Sequence, residues 1–308
     1  MLPDTGTGHR IGFIDLHQDM LCGVAMLDGG FAAYGSNHLA GATRAQTIWS
    51  SLYPHEPGSS LLAQLAAHED LLRIHNDSLR LVTTVVDLDA EDDRTGVLPH
   101  SEGLPLPGID AEHLDHLWAE HSLRSLSLTW DFETEYAYSC YADDTAGLKA
   151  DGRRLVRALQ DSPLLLDLAH LNEGGFFEAL ELYAPPVLVT HSFCRAIGDH
   201  PRGLTDSQLL ALADHGGLVG VTFVPDFLGS GSVDEARRHI EHVVSLVGED
   251  AVSIGSDWGV ADMGELGGPA SLVRLFDAVR ESHGSKLAEK LAFTNACDFL
   301  RGQLPLAV

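Results

Sequence analysis

Short apolar runs alternate with longer amphipathic stretches along the chain, and several of the apolar runs end on an ionisable side chain. Residues 164–169 (LLLDLA) run into His170, and residues 187–190 (VLVT) run into His191. A run of Leu and Val this short reads as a buried parallel strand whose last side chain emerges at the C-terminal end. Residues 172–183 between them have room for one helix, which makes the unit strand, helix, strand with a right-handed crossover. Both histidines then surface at one rim, where ligands and chemistry sit in parallel α/β folds.

The same reading gives further strands at 11–15, within 42–49, at 79–86, a brief piece at 96–98, then 125–129, 218–223 and 251–256. Helices fall at 60–74, 148–161, 233–247 and 286–301 by their apolar stripes. Thr205 with Gln208 forms a capping box that opens a helix, and Gly216-Gly217 closes it. No internal repeat, low-complexity tract or interdomain linker interrupts the pattern. The alternation counts to about eight, which predicts an α/β fold of the (β/α)8 TIM-barrel class, a single domain over 1–308 with extra strand and loop segments in its N-terminal part.

Composition narrows the partners. With 308 residues and 44% hydrophobic content the chain buries a sizeable core. Its formal net charge of −26, from 45 acidic against 19 basic residues, repels phosphate backbones and anionic lipid, so nucleic acid and membrane surfaces are excluded as expected partners. Cys22, Cys140, Cys194 and Cys297 are widely spaced without a CxxC pair, which suits a reducing compartment. The first ten residues carry no apolar leader and no run approaches a membrane span, so a cytoplasmic location is expected.

Candidate chemistry sits at the strand ends. His17 and Asp19 close the first strand and, by period two, point the same way, offering a nitrogen and an oxygen to one ion. Glu102 follows the third strand, His170 the fifth, His191 the sixth and Asp257 the eighth. Each has an ordinary reading. Glu102, in LPHSEGLP, fits a solvated loop carboxylate; His239 and His242 fit a solvated helix face; Trp118 and Trp130 fit core or rim packing. A barrel nevertheless gathers all its strand ends on one face, and six ionisable groups there call for a shared partner. Three histidines with acids suit two borderline divalent ions such as Zn²⁺ sharing a bridging carboxylate, and clustered thiolates for an iron-sulfur site are missing. No G-x-S-x-G motif offers a serine nucleophile instead.

The DLAH at 167–170, the THS at 190–192, the DHPRGLTD at 199–206 and the GSD ending at Asp257 resemble the membrane (renal) dipeptidase family of zinc peptidases in the amidohydrolase superfamily, and the likeness runs from about residue 11 to 301. The resemblance implies that His17 and Asp19 bind one zinc and His170 and His191 a second, with Glu102 bridging them. It further implies that Arg202 receives the substrate's terminal carboxylate and that Asp257 is the acid-base aspartate. The expected activity is hydrolysis of dipeptides, or of similar small carboxylate-bearing amides, by water activated between two zinc ions. A small-molecule substrate is therefore the expected partner, with a homodimer left open. Three departures stand out: Glu102 lies in an unusual local sequence, Trp130 occupies the position of a substrate-contacting histidine, and Trp258-Gly259-Val260 replaces the usual FDG. They keep a second expectation alive, a metal-retaining but silent or substrate-shifted barrel that acts as a binding protein or as a non-peptide amide or ester hydrolase.

Overall fold

The computed structural model describes residues 12–40, 43–54, 59–259 and 261–307. The first residue of the expected opening strand (Ile11), the first of the expected second strand (Ala42), the N-terminal ten residues and Val260 lie outside them. Nine strands follow in chain order: β1 Phe13–Gln18, β2 Ala45–Leu52, β3 Leu79–Leu81, β4 Thr95–Glu102, β5 Ser125–Ser127, β6 Leu165–Asp167, β7 Leu188–Ser192, β8 Leu218–Val221 and β9 Val252–Ile254. Every ladder between them is parallel. The order β2-β1-β9-β8-β7-β6-β5-β4 is closed by pairing of β2 with β4, giving an eight-stranded barrel with helices between the strands.

β3 stands outside the closure. β4 pairs with β2 along one edge, so β3 and β5 share the other: Leu79–Leu81 lie beside Thr95–Val97, and Ser125–Ser127 beside His100–Glu102. The sequence reading of 79–86 as a full strand is thus corrected. The strand stops at Leu81, and Thr84 caps the short helix Val85–Leu88 through a capping box with Asp87. Conversely the piece read as brief, 96–98, is the middle of an eight-residue strand buried at every position. Glu102 is its last residue rather than a solvated loop carboxylate.

The helices lie close to the expected spans, with caps where the loops hand over to them. Ser60, Asn172, Thr205 and Ser232 each accept a hydrogen bond from the backbone three residues on, at the starts of Leu61–Ile74, Glu173–Leu182, Asp206–Asp214 and Val233–Val247. Helices Met20–Met26, Ala111–Glu120 and Pro269–His283 add to those read from the pattern. The closing helical stretch carries a π segment at Lys290–Thr294 before Asn295–Gln303. Among the described residues no helix is long and apolar enough to cross a membrane.

Two apolar clusters divide the core. The larger packs strands against the helical layer, while the smaller gathers Ile14, Leu16, Trp49, Leu98, Leu165, Leu188 and Leu218 with Leu300 from the last helix. Period two puts His100 and Glu102 on the same face of β4 as Leu98, and likewise Asp167 with Leu165 and Thr190 with Leu188. The barrel interior therefore rises from an apolar floor through a buried polar layer (His100, Asp167, Thr190) to the ionisable rim, the layered filling this architecture requires.

Candidate metal centre

The rim brings six of the expected side chains together. His17 Nε2 lies 3.5 Å from Glu102 Oε2, 3.7 Å from Asp19 Oδ1 and 3.7 Å from Asp257 Oδ1. His170 Nε2 and His191 Nε2 are 3.1 Å apart and approach Glu102 Oε1 to 2.8 and 3.4 Å. Glu102 is thus central, with one oxygen toward His17 and the other toward the two later histidines. Ser51 fixes it by donating to Oε2 at 2.8 Å, whereas Oε1 is buried and receives no aligned hydrogen bond. Imidazole nitrogens and carboxylate oxygens that crowd one point, with Glu102 Oε1 left unpaired, are arranged for a cation between them.

Electrostatics agree with that arrangement. Burial would raise the Glu102 carboxyl, but His17 and His170 outweigh it and hold the group well below its ordinary range. Burial and the neighbouring Glu102 charge lift Asp19 well above its ordinary range. Burial likewise pushes Asp257 up to about 7, with Asp19 and Glu102 adding to the rise against the pull of His17. Burial, followed by His17, drives His191 well below its usual value, which favours the neutral imidazole. Carboxylates this close repel one another, and a divalent cation is the partner such a set accommodates. Two overlapping groups of donors lie close enough to hold a cation, His17 with Asp19 and Asp257, and His17 with Glu102 and His191.

Backbone geometry places the ends of this set. His170 (φ 63°) and Asp257 (φ 66°) are two of the three described non-glycine residues in the left-handed region, and both follow a short strand by three residues. Such turns aim a side chain back over the barrel mouth, and this conformation in non-glycine residues clusters at functional sites. Arg202, in the loop after β7, is almost fully buried and donates from Nη2 to the His191 carbonyl at 2.8 Å, while its Nε has no partner. Trp130 makes no polar contact with the cluster. Its ring sits 6.5 Å from that of His170 and packs against Tyr53 and Phe132, forming an apolar wall at the rim. Beside the site a cleft of about 380 Å³ opens between Ser51, Tyr53, Leu21, Ala25, Ala63 and Ala67.

Sequence reasoning missed Asp131, whose Oδ1 lies 3.1 Å from His170 Nδ1. It follows the strand read at 125–129 by two residues, so no pattern marked it. His239, expected on a solvated face, is a core histidine whose Nδ1 accepts the Cys194 N–H, while His242 pairs with Asp206. All four cysteines are free thiols.

A closed parallel barrel with imidazoles and carboxylates gathered at its C-terminal rim is the architecture of the amidohydrolase-type barrels. Residues 36–301 match the model of the membrane dipeptidases (peptidase family M19), and the chain belongs to that family. The match begins after His17 and Asp19, which the fold alone brings to the site. An uncharacterised protein in the pqqA 5′ region of Klebsiella pneumoniae is 32% identical over 79% of this chain and 95% of its own length. Among solved structures, the metallopeptidase dipeptidase AC of the same family superposes with a TM-score of 0.77 at 25% identity, over 97% of this chain and all of its own. A Rhodobacter sphaeroides metallopeptidase liganded with a phosphinate mimic of L-Ala-D-Ala does so with a TM-score of 0.79 at 24% identity, over 96% and 100%.

Proposed function

We propose that the protein hydrolyses the peptide bond of dipeptides, or of similar small amides ending in a carboxylate, at two divalent metal ions, with zinc the expected metal. His17 and Asp19 would hold one ion, His170 and His191 the other, and Glu102 would bridge them. The single observation that carries this reading is the buried Glu102 carboxylate, with three imidazole Nε2 atoms facing it and one oxygen without a donor. When bound, such ions lower the pKa of water and polarise a carbonyl.

The chain's own groups do the rest. Arg202, guanidinium buried and Nε unpaired, receives the substrate's terminal carboxylate and sets the register of the scissile bond. Around the barrel β7 lies opposite β2, so a substrate anchored at Arg202 and crossing the centre reaches the cleft beside Ser51 and Tyr53. Asp257 takes a proton from the attacking water and passes it to the departing amine nitrogen, completing the cleavage without a protein nucleophile.

The aromatic wall of Tyr53, Trp130 and Phe132 favours a second reading, in which the same chemistry acts on a shifted substrate set, a non-peptide amide or ester among them, or the barrel only binds such molecules. A metal-loaded sample assayed on a dipeptide panel that includes D-residues at the C-terminal position separates the two. Metal analysis should give close to two ions per chain, and His170→Ala should lose mainly one. Absence of bound metal in protein purified without chelator would overturn the metal reading, and metal without turnover of any dipeptide would favour the shifted one.

A further inference from the structure

Beneath the rim, one hydroxyl touches two of the histidines. Thr190 Oγ1 donates to Asp167 Oδ2 at 2.6 Å and lies 3.3 Å from His17 Nδ1 and 3.0 Å from His191 Nδ1. Asp167 is wholly buried, and its other oxygen accepts the backbone N–H groups of Ala169 and Thr190, both at 3.0 Å. A threonine hydroxyl has one proton and two lone pairs. With the proton committed to Asp167, only lone pairs remain, and each Nδ1 that meets them must carry a hydrogen.

We propose that Thr190 is a positioning residue shared by both halves of the centre: polarised by Asp167, its hydroxyl fixes His17 and His191 as Nδ1–H tautomers, so that both Nε2 lone pairs face the site. This rests on the metal reading above, in which the two rings serve different ions. An outer hydrogen bond to a metal-ligating imidazole sets its tautomer and orientation and raises its basicity. Here a single side chain does this for two rings whose centroids lie 3.7 Å apart, and so ties the affinities of the two ions together. The Thr190 backbone is clamped in place to do so. A Cβ added at Gly220 on β8, or at Gly255 just after β9, would strike the Thr190 carbonyl oxygen, so only glycine at both positions leaves room for it.

The test is chelator competition on purified metal-loaded protein, comparing wild type with Thr190→Val and Thr190→Ser. Thr190→Val keeps the shape and loses the hydroxyl. It should weaken both ions together by about 10- to 100-fold, while Thr190→Ser stays near wild type. Unchanged affinity, loss of one ion only, or no rescue by serine would overturn the proposal. Long-range proton–nitrogen NMR on the wild type supplies a measurement that survives misfolding of the valine variant: the His17 and His191 rings, assigned by their absence in His17→Gln and His191→Gln, should both carry the proton on Nδ1. A proton on Nε2 of either ring overturns the proposal. A wild type that binds no metal but shows both Nδ1 protons would instead fail the metal reading and leave the tautomer assignment standing.

Discussion

Asp257 combines three properties that a proton carrier needs. It lies 3.7 Å from His17, burial lifts it to about 7, and a left-handed turn just past a core strand holds it there. Asp257→Asn preserves shape and hydrogen bonding but takes no proton. The variant should keep its fold and metal content while kcat falls by about 10²- to 10⁴-fold; loss of metal along with activity would make Asp257 a ligand, and near-normal activity would remove it from the chemistry. The sequence exposed this residue, like His17, Asp19, His170 and His191, because each ends an apolar run. Asp131 and Thr190 were illegible as participants: one sits in a loop with no periodic signal, and the other reads as an ordinary β-branched strand residue beside His191. What joins Thr190 to the site is a contact across 173 residues of sequence, which local pattern does not carry.

Among elements, β4 shows why hydropathy fails inside this barrel. TGVLPHSE lacks the apolar density of a central strand because its inward positions feed the polar layer: His100 meets Ser125 at 2.9 Å, and Glu102 meets Ser51. The neighbouring 79–86 stretch misleads in the opposite direction, its β-branched residues suggesting a strand where a cap forms. Asp87 Oδ2 accepts from the backbone and hydroxyl groups of both Thr83 and Thr84. Burial works against these four bonds, which prevail and hold the carboxyl below its ordinary range. A lowered folded value means that Asp87 stabilises the protein above the unfolded value, about pH 4, and that this contribution is lost as pH falls through the folded one. Asp87→Asn should therefore destabilise the protein at pH 7, with a gap to wild type that narrows in acid; a gap constant down to pH 2 in chemical denaturation would contradict the assignment. Close strand approach gives the complementary test. Gly255→Ala must displace the Thr190 carbonyl, and the overpacking should cost roughly 1–3 kcal/mol or more, read as a lower denaturation midpoint together with weaker metal binding. A folded, metal-replete Gly255→Ala of wild-type stability would mean that the strands relax freely.

For the whole molecule, barrel closure turns separate strand ends into a centre, and that step was legible from the alternation of runs because parallel strands leave few other ways to bury both faces. The pairing that closes the ring, β2 with β4 past the intervening β3, was not, since it depends on β3 sharing the far edge of β4 with β5 instead of lying between β2 and β4. The net charge of −26 acts at this scale too. Its field reaches substrates before any contact does, and over a Debye length of about 10 Å at 0.1 M salt it disfavours the approach of anions. A zwitterionic dipeptide has no net charge to be repelled, whereas one with acidic side chains does. Among substrates that are turned over, kcat/KM for an acidic dipeptide should rise severalfold as salt increases from roughly 10 to 150 mM, while that for a zwitterionic one stays nearly flat. Equal salt responses would show that the cationic groups at the mouth, Arg202 and the bound metal, neutralise the field before the substrate meets it, and a fall for the acidic dipeptide would mean that they reverse it.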